Sequence, residues 1–167
     1  MSTNSKRKKL AYLVGPIESA SDHGRGWRKE LTSRLAEFDI EVIDPTSDVI
    51  ICGISDVHER RRIVDSARES RAWEKLTILM DDIWKFNDRA VGESDFLIVH
   101  YPEKVSGGGT LREMQKAFDY AKPVYLVYEH DPVSINCHIL HMILKRGKIF
   151  SSFDELFQFL KAEYGAS

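Results

Sequence analysis

The sequence predicts an α/β protein built on one open, doubly wound parallel sheet, and three observations predict it. Short apolar runs alternate with helical patterns along the whole chain. The apolar runs close on turn residues, as in "LAYLVGP" and "IEVIDP". The 167 residues suffice for a single domain with a real core and leave little room for a second.

Residues 10–16 read as a buried strand running into a Gly-Pro turn. A helix follows at 26–38, where Trp27, Leu31, Leu35 and Phe38 recur at helical spacing. Residues 40–45 form the second strand, closed by Asp44-Pro45, and 46–57 a loop. Two helical stretches occupy 58–92, and 95–101 is the third strand. It leads through "SGGGTLREM" (106–114) to a helix at 110–121 and a strand at 123–129. A helix around 134–145, a short strand near "KIF" (148–150) and an amphipathic helix at 153–164 complete the chain. Strands alternating with helices lie parallel with both faces covered, and right-handed crossovers leave the doubly wound arrangement. Ligands of such sheets bind outside the carboxyl ends of the strands, where strand order reverses. The segments that gather there are "GPIES" with Gly15, Pro16 and Glu18, "DP" with Asp44, and "SGGGT" with Ser106, Gly108, Gly109 and Thr110.

Composition narrows the function. Apolar residues make up 43 % and charged residues 30 %, with a net charge of -2, so no global basic field recruits a nucleic-acid polymer. The basic cluster at 5–9 reads as part of a flexible leader (1–9) ahead of a domain at 10–167. No apolar segment approaches the ~20 residues that span a bilayer, so no membrane partner is expected. Two cysteines make no disulfide framework and fit a reducing cytoplasm. Cys137, His138 and His141 lack a fourth ligand at a usual zinc spacing, and neither "GGGT" nor "GRGWR" is a cofactor fingerprint, so no metal and no cofactor are expected. The charged stretch 58–71 reads as a solvated helix face whose arginines are able to line the entrance for an anion.

"SGGGTLREM" admits two readings. Thr110-x-x-Glu113 has the form of a capping box, Thr110 accepting from the amide of residue 113 and Glu113 reaching back to that of Thr110. A glycine-rich loop entering a helix also offers amides to an anion, which places Ser106, Gly108, Gly109 and Thr110 against a phosphate.

The order of motifs carries more than any one of them. "AYLVGPIE", "GWRKELTSRL", "EVIDP", "NDRAVGESDFLIV" and "GGGTLREMQKAFDYAKPVYLV", in that order, resemble the nucleoside 2-deoxyribosyltransferase family and its nucleotide N-glycosidase relatives, from about Leu10 to Tyr128. The resemblance implies a flavodoxin-like sheet and cleavage of the N-glycosidic bond of a (deoxy)nucleoside or its 5′-monophosphate. It implies Glu113 as the nucleophile on the anomeric carbon and Tyr12 as its hydrogen-bonding partner. A second base or water then takes the sugar. It also implies a homo-oligomer with sites near subunit interfaces, where Asn136 would meet a sugar hydroxyl. The helix N-terminus would keep Glu113 ionised.

The chain departs from the family at two places. The aspartate that sits near the leaving base falls on Asn87, which contacts a base but donates no acidic proton at neutral pH. Asp88 next door is the candidate for leaving-group protonation, although adjacent helical residues point about 100° apart. The aspartate shortly before the nucleophile in the transferases falls on Gly107. A Gly/Ser-rich loop in its place is able to receive a 5′-phosphate, in which case a nucleoside monophosphate is the expected substrate; nucleoside or monophosphate, transfer or hydrolysis stay open at this point. Arg28 reads either as an ion-pairing surface residue or as a contact at the pocket mouth. A catalytically silent nucleotide-binding or sensing module on the same fold is the rival reading.

Overall fold

A computed structural model of the chain describes residues 7–17, 20–47, 49–102 and 108–165. Its elements run β1 (Lys9–Val14), α1 (Arg25–Ala36), β2 (Ile40–Ile43), α2 (Val57–Glu69), α3 (Trp73–Glu93) and β3 (Phe96–His100). There follow α4 (Gly108–Asp119), β4 (Val124–Val127), a 3₁₀ turn at Pro132–Ser134, α5 (Cys137–Arg146), β5 (Lys148–Phe150) and α6 (Phe153–Tyr164). The five strands are all parallel in the order β2-β1-β3-β4-β5, the flavodoxin-like doubly wound sheet of a single α/β domain. Strand order reverses between β1 and β3, so the crevice expected for a ligand opens at their carboxyl ends.

Alternation along the strands sorts the core into two layers. Tyr12, Val14, Leu97, Val99, Val124 and Leu126 face one way, against Phe86 and Ala90 of α3, Met114 and Ala117 of α4 and Ile143 of α5. Ala11, Leu13, Phe96, Ile98, Tyr125 and Val127 face the other way, against Leu31 and Leu35 of α1 and Leu156 and Leu160 of α6. The central strands are buried on both faces, hence their unbroken apolar runs. Tyr12 belongs to the α3–α4 side by parity alone, which aims its phenol toward α4.

Three local features differ from the sequence reading. The leader is not free up to residue 9: Lys9 opens β1, and the Arg7 guanidinium lies 2.9 Å from Asp95, whose other carboxylate oxygen accepts from the Leu10 amide at 2.8 Å. The 46–57 loop carries a small bridge between Ile51 and Ile54, turned by Cys52 and Gly53 at positive φ. Helix α4 begins at Gly108 rather than 110, so Thr110 lies within its first turn and is buried.

Candidate functional site

The buried positions of α4 are Thr110, Glu113, Met114 and Ala117, the i, i+3, i+4, i+7 spacing of a core-facing stripe. Glu113 therefore points at the sheet, not at solvent, and is 7 % exposed. There the Tyr12 hydroxyl donates to its Oε1 at 2.6 Å. Asn87 Oδ1 lies 3.3 Å from the same hydroxyl, so the phenol, the amide and the carboxyl form one cluster contributed by β1, α3 and α4. The capping-box reading does not hold: α4 starts two residues earlier, and Glu113 spends its carboxyl on Tyr12 instead of the Thr110 amide.

The electrostatics of the pair follow from burial. Desolvation pushes the Glu113 carboxyl up to about 7, against the smaller opposing pulls of the Tyr12 hydrogen bond and the positive charges of Arg28 and Arg112. The helix dipole was expected to keep Glu113 ionised; loss of hydration outweighs it. Burial and the neighbouring carboxylate hold the Tyr12 phenol well above its ordinary value, so it stays a proton donor.

A cavity of about 420 Å³ opens over this cluster, a volume ordinary for a small-molecule site. Gly15, Pro16 and Ile17 supply one wall at the end of β1, and Gly108, Gly109 and Thr110 supply another at the start of α4. Ile51, Val57 and Val64 line it from the β2–α2 side, and Met80, Ile83 and Trp84 form an apolar wall from α3. Among the described lining residues Glu113 is the one carboxyl group, set against four arginines, Arg28, Arg60, Arg61 and Arg112.

Tyr12, Gly15, Pro16, Asn87, Gly108, Gly109, Thr110 and Glu113 of the sequence reading thus share this cavity. Glu18 and Ser106 lie outside the described residues. Asp88 and Asp44 do not join the wall. Asp88 accepts from Arg112 at 2.6 and 3.0 Å and from the Lys116 ammonium at 3.2 Å. The Arg112 hydrogen bonds hold its carboxyl below the ordinary carboxylate range, so it has no proton to give at neutral pH, contrary to the role expected of it. Asp44 accepts from the amide and hydroxyl of Thr46, both at 2.8 Å, and closes the turn after β2. Asn136 is exposed and caps α5, accepting from the His138 amide at 2.9 Å.

The sequence reading missed how two arginines are used. Arg60 of α2, read as part of a solvated face, is buried and donates to the carbonyls of Pro45, Val49 and Ile54, tying the β2–α2 loop over the cavity. Arg28 of α1 is fully buried and donates to the carbonyls of Gly15 and Gly24, both at 2.9 Å. Gly24 makes room for it: φ is +71°, and a Cβ there would fall 2.3 Å from Arg28 Nη1 and 2.7 Å from the Pro16 carbonyl. Gly24→Ala is expected to lower stability by about 2 kcal/mol, read as an earlier urea midpoint at unchanged m.

No protein-family model matches the chain, and no curated protein matches it. Solved structures do. A conserved protein from Enterococcus faecalis V583 superposes with a TM-score of 0.66 at 15 % identity, over 94 % of this chain and 99 % of that one. The CMP N-glycosidase BcmB of Clostridium botulinum gives 0.53 at 16 % identity, over 93 % and 99 %. The 2-deoxyribosyltransferase of Bacillus psychrosaccharolyticus gives 0.57 at 15 % identity, over 95 % and 97 %. The chain shares the fold of these proteins across nearly its whole length.

Proposed function

We propose that the chain cleaves the N-glycosidic bond of a (deoxy)nucleoside or its 5′-monophosphate, with Glu113 as nucleophile and Tyr12 as the residue that orients it. The observation that carries this reading is the 2.6 Å contact between Tyr12 and Glu113 beneath a cavity at the reversal of strand order. The fold shared with a CMP N-glycosidase and a 2-deoxyribosyltransferase supports it. A Glu113 oxygen attacks the anomeric carbon, the carbon–nitrogen bond breaks, and the base leaves with the electron pair. A second base or a water then attacks the same carbon and gives up a proton, the Glu113–sugar bond breaks, the carboxylate returns, and the departed base anion takes up a proton from solvent, so that the exchange balances.

Arg61 and Arg112 pair with Asp65 and Asp88, so what favours an anionic substrate in this reading is the start of α4, where the amides of Gly108, Gly109 and Thr110 lie toward the 5′-phosphate. Asn87 and the wall of Met80, Ile83 and Trp84 face the base. The protein works as a cytoplasmic homo-oligomer in this reading. Trp73, Ile78 and Trp84, exposed on α3, offer apolar surface for a second copy.

The test is base release from ribo- and deoxyribonucleosides and their 5′-monophosphates, with and without a free acceptor base, followed by chromatography. Turnover that requires the acceptor marks a transferase, and turnover in water alone a hydrolase. A folded protein that binds nucleotide but releases no base from any substrate overturns the enzyme reading and leaves a binding module. Asp88→Asn is expected to change kcat less than about tenfold, because a carboxylate held in an ion triad gives no proton to the base. A loss of 10³ in that variant would return Asp88 to the chemistry.

A further inference from the structure

Arg28 is a buried charge that the proposed chemistry does not use directly. Its two terminal nitrogens donate to neutral carbonyls, Gly24 at the start of α1 and Gly15 at the end of β1, which fix its position without cancelling its charge. Its guanidinium lies 4.4 Å from the Trp27 ring centroid. Among the described residues its nearest counter-charge is Asp44, 3.7 Å from Nε, too far for a hydrogen bond and already engaged by Thr46. Among the described residues the buried Nε has no hydrogen-bond partner. Yet Arg28 lines the same cavity as Tyr12 and Glu113. Burying a guanidinium with a hydrogen-bonding nitrogen left over is costly, and a packing role alone would be filled more cheaply by an apolar side chain.

We infer that Arg28 is a positioning residue for the nucleophile: a fixed, desolvated cation that holds the β1–α1 turn around Gly15 and steadies the anionic form of Glu113. The inference rests on the reading of Glu113 as nucleophile. The charged and titratable groups facing Glu113 are Tyr12 from β1, Arg28 from α1, Asp88 from α3 and Arg112 from α4 itself. Arg112 and Asp88 form a bidentate pair and act on Glu113 with opposite signs, so they largely offset each other. Arg28 is the less neutralised cation. Around it stand Asp44, Asp22 and the Tyr12–Glu113 pair, with His100 at the end of β3.

The experiment titrates Glu113 by NMR of side-chain ¹³C-labelled glutamate in the full chain, with Glu113→Gln assigning the resonance. It runs alongside the pH profile of base release from the 5′-monophosphate panel. Arg28→Gln is expected to move the Glu113 midpoint up by about one pH unit, a tenfold change in ionisation. Its kcat falls at pH 7 and recovers toward pH 9, with KM less affected. Arg28→Lys keeps the charge and leaves the midpoint within about 0.3 of wild type. A folded Arg28→Gln protein with an unmoved midpoint overturns the inference and leaves a packing role. If that variant does not fold, Asp44→Asn carries the test: releasing Arg28 from its counter-charge lowers the midpoint, and an unmoved midpoint overturns the inference. Should no substrate turn over in wild type, the NMR midpoint still reads Arg28, so failure of the enzyme reading and failure of this one are told apart.

Discussion

Glu113→Gln is expected to lower base release by a factor of about 10³ or more while leaving the fold intact. Glutamine keeps the shape of the side chain, and its carbonyl still accepts from Tyr12, but its amide makes a poor nucleophile toward the anomeric carbon. The stability of the variant separates this from damage. In the wild type, burial raises the Glu113 carboxyl from 4.5 to about 7. The unfolded chain ionises it near its ordinary value, so a raised folded value means stability present at low pH and lost as pH climbs through that window. The interval of about 2.5 pH units corresponds to about 3 kcal/mol. The neutral glutamine escapes that loss, so the variant unfolds at an equal or higher Tm at pH 8 and gains less at pH 5. A variant that is inactive and also melts well below wild type at pH 8 would mean that the charge holds the fold rather than the chemistry. A variant that keeps its activity would remove Glu113 from the reaction altogether.

Much of the architecture was legible because local rules agreed with the global fold. The strands are short, fully apolar and closed by turn residues, and both layers of the core follow from alternation along β1, β3 and β4. What misled was treating polar residues by type instead of by position. Arg28 stands with Leu31 and Leu35 on the buried stripe of α1, Arg60 with Val57 and Val64 on that of α2, and Glu113 with Met114 and Ala117 on that of α4. Each is a charge at a core-facing position, and all three meet at one cavity. That coincidence is written in the sequence: a charged residue three or four positions from a member of a helix's apolar stripe conflicts with the local pattern, and such conflicts gather at sites. The fate of Asp88 was not legible. Whether a half-exposed carboxylate faces a pocket or a cation on the next helix depends on the relative rotation of α3 and α4, and the ion triad with Arg112 and Lys116 spans both. Nor could the start of α4 be placed from its residues, since glycines ahead of a threonine serve a loop and a first turn alike.

Removing the Tyr12 hydroxyl tests whether that buried pair is one catalytic unit. The phenol lies on a fully buried strand, donates at 2.6 Å and cannot itself ionise in the working range. Its hydrogen bond favours the carboxylate, so Tyr12→Phe lets desolvation act with less opposition and the Glu113 midpoint rises above about 7. In wild type, kcat/KM is expected to fall as pH drops through about 7, because protonation removes the nucleophile. In Tyr12→Phe that limb moves to higher pH. At pH 7 the rate drops by a factor of about 10², part from the smaller ionised fraction and part from lost orientation; only the first part returns on raising the pH to 9. Stability moves the same way, since an ionised Glu113 without its donor is a buried, unsatisfied anion. The variant is expected to lose about 1–3 kcal/mol at pH 8 and less at pH 5, where the carboxyl is protonated. A pH profile superposing on wild type after the hydroxyl is gone would mean that Tyr12 only fills space. A shifted limb with full recovery at pH 9 would mean that it sets the charge of Glu113 but not its aim.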